Sequence, residues 1–187
     1  MAKTKAVDRR VARTRRTLLE AFVALMVERG WDNFGVRELC ERADVARSTF
    51  YLHYADKEEL VAGSIDDLRR GLRAQLAAQP QRKGPLGFSL ALAQHAHEQR
   101  RLFIAVVGKK SGLFVQRKFR DMVFQLVRED LQAVLREGPA RDAAIAFITG
   151  ALLELLTWSL ESRSSPGAEE TDRLFLTMAT PVLTAAR

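Results

Sequence analysis

The chain has 187 residues, 47% of them hydrophobic and 28% charged, a balance that supports a packed core and excludes a disordered or fibrous polymer. Its one cysteine, Cys40, excludes an internal disulfide and a cysteine-rich zinc site. Residues 1–16 carry seven basic side chains and one acidic one, so most of the net charge of +7 lies in one short arm. Such an arm is typical either of a segment that binds a polyanion or of a solvated tail.

The start of the chain is basic and lacks the apolar segment of a secretory signal. The longest uncharged apolar stretch, 143–153, is shorter than the ~20 residues that cross a bilayer. We therefore expect a cytoplasmic protein that does not bind membranes.

Apolar residues at helical spacing predict a first helix over 13–29, and Gly30 follows it where a left-handed C-cap would lie. Short helices are predicted at 36–43 and 47–54. Asp56 is a good N-cap for a fourth helix that runs to residue 78. The proline- and glycine-containing stretch 79–87 is the clearest linker. Further helices are predicted at 86–98, 100–108, 113–136, 140–162 and 169–185, which gives an all-α fold of about nine helices.

The segment 35–57 has the pattern of a helix-turn-helix. Cys40 is small enough for two helices to dock, and Asp44 tolerates the positive φ that a tight turn needs. Val45 and Phe50 would close the small core. Hydrogen-bonding side chains then lie at the start of the second of these helices, where a recognition helix meets the edges of bases.

Residues 13–60 resemble the DNA-binding module of the TetR family of regulators. The resemblance rests on the helix ending at Gly30, on Val36-Arg37-Glu38-Leu39, Ala43-Asp44-Val45, Ser48-Thr49-Phe50-Tyr51 and His53-Tyr54, and on Asp56-Lys57-Glu58-Glu59-Leu60. Two positions depart from the family pattern. Asp44 stands where glycine is usual, and Gly35 stands where threonine or serine usually starts the second helix, which removes one candidate phosphate contact.

The resemblance implies a basic flexible arm at 1–12, a helix-turn-helix DNA-binding domain at 13–57 and a larger helical effector-binding and dimerisation domain at 58–187. It implies base contacts from Arg37 and Arg47, because guanidinium pairs with the guanine edge. Ser48 and Thr49 would touch a base or the backbone. Phosphate contacts are implied for Tyr51, His53, Tyr54 and Lys57, with burial against the first helix as the alternative for Tyr54 and simple solvation as the alternative for Lys57.

Such regulators act as two-fold dimers on palindromic DNA. The apolar faces of helices 140–162 and 169–185 are the candidates for a four-helix interface between two subunits, unless they only complete the core of one chain. The implied function is that of a repressor released from a palindromic operator by a small-molecule effector.

An apolar effector pocket would be lined by residues from the C-terminal helices, although aromatic residues at this spacing also form ordinary cores. The candidates are Phe88, Leu92, His95, Phe103, Phe119, Met122 and Trp158, with Phe114 and Phe124 as further apolar side chains.

The sequence contains no glycine-rich phosphate loop and no nucleophile elbow, so we expect neither an enzyme nor a cofactor. His95 and His97 lie two residues apart and point in different directions on a helix, which argues against a metal site. The remaining alternative is a related protein that binds a protein partner or organises the chromosome.

Overall fold

The computed structural model describes residues 2–79, 84–107, 112–162 and 166–186, with side chains from Arg10 onward. Within these ranges the chain forms nine α-helices and no strand, as the sequence predicts. The helices are α1 Ala2–Arg29, α2 Val36–Ala43, α3 Arg47–Tyr51, α4 Lys57–Ala77, α5 Ser89–Glu98, α6 Arg100–Val107, α7 Gly112–Gln132, α8 Pro139–Glu161 and α9 Ala168–Ala185. A 3-10 turn at Trp31–Asn33 joins α1 to α2.

Several predicted boundaries differ from the structure. Residues 2–12, expected as a flexible arm, belong to α1, because they contain alanine, lysine and arginine and no helix breaker. The third helix ends at Tyr51 rather than 54, and α7 ends at Gln132 rather than 136. Three predicted features lie outside the described residues: the breaks at 108 and at 164–165, and positions 80–83 of the linker.

The N-terminal core joins α1, α2 and α3 and extends to the later helices. Leu18, Leu25 and Met26 of α1 are at most 1% exposed and belong to one apolar cluster with Leu39 and Phe50. Ala105 of α6 and Val115 of α7 are buried in the same cluster. The first three helices are therefore held against the rest of the molecule by apolar contact, which is the dominant stabilising term in folding.

The C-terminal core lies among α5, α7, α8 and α9, and α4 reaches both cores. Leu60 of α4 is buried in the N-terminal core and Leu72 in the C-terminal core. Arg73 strengthens the second contact: its guanidinium donates to Asp130 at 2.7 Å and to the Leu126 carbonyl at 3.1 Å. α4 thus connects the two halves of the protein.

By length and hydropathy alone, α8 could span a membrane, and 44% of its most apolar window is buried inside the protein. Because Glu154 interrupts the apolar sequence of this helix, its longest uncharged stretch, 143–153, is much shorter than the helix itself. Its buried side chains pack in the C-terminal core: Ala144, Ile145, Ile148, Thr149, Leu152, Leu156, Ser159 and Leu160. This burial is that of a core helix of a helical bundle.

Candidate nucleic-acid interface

The turn between α2 and α3 has the geometry that the sequence predicts. Asp44 adopts the left-handed conformation, with φ 52° and ψ 46°, and the Val45 N–H donates to the Cys40 carbonyl at 3.0 Å. Cys40 is 3% exposed, so no large side chain separates the two helices. The pair is therefore fixed by a short αL cap, a conformation that aspartate tolerates better than most residues.

The start of α3 presents polar side chains to solvent. Arg47 and Ser48 are exposed and Thr49 is half-buried, whereas Phe50 is completely buried beneath them. Tyr51 is 50% exposed at the end of the helix. We call Arg47, Ser48, Thr49 and Tyr51 the recognition face; the structure brings these four predicted contact residues together on one short helix.

Arg37 lies on α2, and its charge is partly matched within the protein. Its guanidinium donates to Glu38 at 3.0 Å and lies 3.9 Å from Glu41. The Glu38 hydrogen bond and charge raise the pKa of Arg37. A bond to guanine would therefore replace, or add to, these local ion pairs.

Glu38 also completes the N-terminus of α2, where the family pattern expects a hydroxyl and this chain has Gly35. The Glu38 carboxylate accepts the Gly35 N–H at 3.0 Å. Hydrogen bonds from backbone N–H groups, followed by the one from Arg37, lower the pKa of Glu38 to about 2. The missing side-chain cap is thus partly replaced by a carboxylate that stays ionised.

Tyr54 lies between the two expected environments. It is half-buried, its ring packs 5.7 Å from the ring of Phe50, and the Arg15 guanidinium lies 5.9 Å from its centroid. Burial raises the pKa of the Tyr54 phenol. Neighbouring His53 is also half-buried, with its ring 6.4 Å from that of Tyr54.

Lys57 is neither free nor simply solvated. Its ammonium donates to the carbonyls of Trp31 at 2.8 Å and Phe34 at 3.0 Å. It also lies 4.1 Å from the centroid of the Trp31 ring. Since an ammonium has three donors, one remains for a phosphate.

Two residues near the recognition face were missed by the sequence analysis. Leu52 is 81% exposed directly after α3, and no sequence pattern distinguishes it from a core leucine. Arg15 reaches the Tyr54 ring from α1, a contact that only the tertiary structure reveals.

The predicted pocket residues fall into three groups. Phe88, Leu92, Phe103, Phe119 and Met122 are at most 6% exposed and belong to the C-terminal core. His95 is half-buried and lines a cleft of about 570 Å³ between α1, α4, α5 and α6. Trp158, in contrast, is 46% exposed on α8.

The two remaining apolar candidates also lie in different places. Phe124 packs partly buried against the C-terminal core, whereas Phe114 packs against the N-terminal core through Trp31.

Comparison with known proteins places this geometry in context. The family model described as "Bacterial regulatory proteins, tetR family" matches residues 18–63. An uncharacterized HTH-type transcriptional regulator of Bacillus subtilis, YxbF, is 40% identical over 64 residues, which are 34% of this chain and 17% of that protein. The chain therefore spans well under two thirds of the length of this curated relative.

Solved structures extend the likeness of fold to nearly the whole chain. A TetR transcriptional regulator from Streptococcus agalactiae has a TM-score of 0.68 at 23% identity, over 94% of this chain and 98% of that one. The structure of a SmeT–triclosan complex has a TM-score of 0.64 at 18% identity, over 90% of each chain.

Proposed function

We propose that the chain, whose residues 18–63 match the model of the TetR family of bacterial regulatory proteins, is a sequence-specific DNA-binding transcriptional regulator of that family rather than an enzyme. The observation that carries the proposal is the recognition face: polar side chains exposed on a short helix whose other side is buried. A helix of this kind enters the major groove while its neighbour crosses the backbone.

The proposed contacts divide into two kinds. Arg47, Ser48 and Thr49 lie at the N-terminus of α3 and would read base edges, with Arg47 bidentate to guanine. Tyr51 and His53, further along the same segment, would bind phosphates and fix the register on the duplex.

Three further residues take supporting roles in the proposed complex. Arg37 would reach DNA from α2, by exchanging a carboxylate partner for a base or phosphate. Tyr54 would offer its hydroxyl at the edge of the core, and Lys57 would use its remaining donor on a phosphate. The basic residues before Arg16 would add sequence-independent attraction.

We further propose that two copies associate through α8 and α9. On α9 the apolar side chains outside the core follow the i, i+4, i+7, i+11 spacing of a single helix face. On α8 they lie at i, i+4 and i+11, and the exposed Glu154 stands at i+7. Phe147 is 61% exposed, Trp158 46% and Met178 61%. The residues of this dimer face are Phe147, Ala151, Trp158, Leu174, Met178, Pro181 and Ala185.

The regulatory part of the proposal is repression relieved by a small-molecule effector in the cytoplasm. The mixed apolar and polar lining of the cleft around His95 suits an organic molecule of moderate size. SmeT, whose fold is comparable, has been solved as a complex with triclosan, which supports the binding of a small organic molecule here.

Selection of double-stranded DNA from a random pool by the purified full chain tests the DNA-binding proposal. We expect enrichment of one palindrome, because a two-fold dimer presents two identical recognition faces. Enrichment of many unrelated fragments would instead favour a chromosome-organising protein. No preference over a polyanionic competitor would overturn the proposal.

A further inference from the structure

Four side chains form a continuous stack from the start of α4 to the start of α7. The Lys57 ammonium lies 4.1 Å from the centroid of Trp31, and the Trp31 ring stacks on Phe114 at 5.5 Å with an interplanar angle of 18°. The Lys118 ammonium lies 5.8 Å from the far ring, that of Phe114. Two stacked rings therefore have a cation at each end, and each cation is attracted by the quadrupole of the ring that it faces.

The stack is held tightly at its centre. Trp31 is 6% exposed, and its edge contacts Phe22 of α1 at 6.2 Å between centroids. Gly112 also lies against Trp31, with φ +67°, and a Cβ added there would lie 2.6 Å from Trp31 Cδ1. Only glycine satisfies both the backbone conformation and the close approach. Trp31 therefore has little room to move independently of the start of α7.

α7 belongs to both cores of the protein. Val115 is buried in the N-terminal core, while Phe119 and Met122 on the same helix are buried in the C-terminal core. Because packed interiors are not continuously deformable, a shift of α7 driven from the C-terminal core must be accommodated at Phe114 and Trp31.

At the other end, Lys57 ties the loop after α1 to the first residue of α4. Its bonds to the carbonyls of Trp31 and Phe34 join residues that are 26 and 23 positions apart in the chain, respectively. The recognition face ends only six residues before Lys57 in the chain. The position of Trp31 thus bears on how α3 and α4 are held relative to α1.

We infer that Lys57, Trp31 and Phe114 are positioning residues that couple α7 to the DNA-binding helices. This inference rests on the proposed function for its biological meaning. A change in the C-terminal core would move Phe114, shift Trp31 and Lys57 with it, and alter the setting of the recognition face. Lys57 would then have two roles: it would help to position the DNA-binding helices through its contacts at Trp31, and it would bind a phosphate.

A double-mutant cycle with two readouts tests the coupling. The first readout, hydrogen exchange of the amides of 59–64 at the start of α4, needs no DNA. Phe114→Ala should speed this exchange about tenfold in the natural background but less than about threefold with Lys57→Met, as expected for side chains that interact. Leu113→Ala, at an 80% exposed neighbour on the same turn, is the matched control and should leave exchange unchanged.

The second readout is affinity for the palindrome enriched from the random pool. Phe114→Ala should weaken binding about tenfold with Lys57 present and less than about threefold in Lys57→Met, without changing the salt slope, because no phosphate contact is lost. Phe114→Leu, which keeps most of the volume but not the flat ring, should behave similarly and guards against simple unfolding.

The coupling would be overturned if Phe114→Ala had equal effects with Lys57 and with Lys57→Met. It would also be overturned if Phe114→Ala changed the exchange of the 59–64 amides no more than Leu113→Ala does. If no DNA is preferred while the exchange cycle is non-additive, the proposed function fails and the coupling stands. If DNA binds specifically but the cycle is additive in both readouts, the proposed function stands and the coupling fails.

Discussion

At the scale of single residues, the recognition face shows how burial selects among similar side chains. Phe50 and Tyr51 are adjacent aromatic residues, yet the first is fully buried and the second half exposed. Their direction is set by helical geometry, since neighbouring residues point about 100° apart. The same rule turns Arg47 and Ser48 to solvent.

Arg47→Ala should cost about 1–3 kcal/mol in binding to the selected palindrome and relax the preference at particular base pairs. The reason is the loss of a bidentate bond to guanine. Binding of sequence variants measures both effects. Arg128→Ala, an exposed arginine on α7, makes the same charge change away from the recognition face and should leave base preference intact. Unchanged preference in Arg47→Ala would remove this residue from the interface.

Glu38→Gln should reduce the loss of folding stability that the protein shows as the pH falls. The folded-state pKa of Glu38, about 2, lies below the value of about 4.3 expected for an unfolded chain, so its stabilisation is present above pH 4.3 and is lost as pH falls toward 2. Thermal unfolding at pH 7, 4 and 3 should show wild type and variant converging at low pH. Parallel curves would show that the carboxylate charge is irrelevant. Glu41→Gln, on the exposed side of α2, is the matched control.

At the scale of elements, α5 carries two histidines in the C-terminal half. Burial lowers the pKa of His95 more than the nearby Glu98 raises it. Burial, together with Arg100, also lowers the pKa of His97. Neutral imidazoles in this helix are therefore part of the folded state at pH 7.

Because of these two lowered pKa values, α5 should make the folding stability depend on pH between neutral and mildly acidic conditions. With folded pKa values below about 6.5, the unfolded chain binds more protons, so stability is greatest above pH 6.5 and falls as pH drops toward the folded values. We expect His95→Gln to flatten the decline of the unfolding midpoint between pH 7 and 5. His53→Gln, outside the C-terminal core, should retain the decline; equal slopes in wild type and His95→Gln would contradict the assignment.

At the scale of the whole molecule, the proposed dimer face leaves three large apolar side chains exposed on a single chain. These side chains are Phe147, Trp158 and Met178, on the last two helices. They are far along the chain from the recognition face. Association there would place two recognition faces on one duplex, and binding by both would raise avidity well above that of either alone.

Phe147→Glu should therefore yield monomers and weaken binding to the palindrome by about 100-fold, while half-site binding persists. Light scattering after gel filtration gives the mass, and titration with full and half sites gives the affinities. The control is Leu113→Glu, at an apolar residue of α7 that is even more exposed than Phe147, and this variant should remain dimeric. A dimeric Phe147→Glu protein would place the interface elsewhere.

Local rules were enough to predict much of the fold. Periodicity, caps and breaks together predicted each α-helix in the described part of the chain, and the positive φ of Asp44 followed from turn sterics. The N-cap at Asp56 is confirmed by its bond to the Glu59 N–H at 2.7 Å. Gly30 has the expected positive φ, but its ψ of 165° lies outside the left-handed helical region. These features depend on interactions within a few residues, which the sequence states directly.

The sequence by itself thus determined the helices, the turn and which residues share the recognition face, because each depends on spacing along one short segment. Only the tertiary structure decided that Lys57 bonds to the loop at Trp31, that Phe114 stacks on Trp31 rather than joining the C-terminal core, and that Trp158 faces outward. These contacts join residues far apart in the chain, and helical periodicity gives the face of a helix without naming what packs against it.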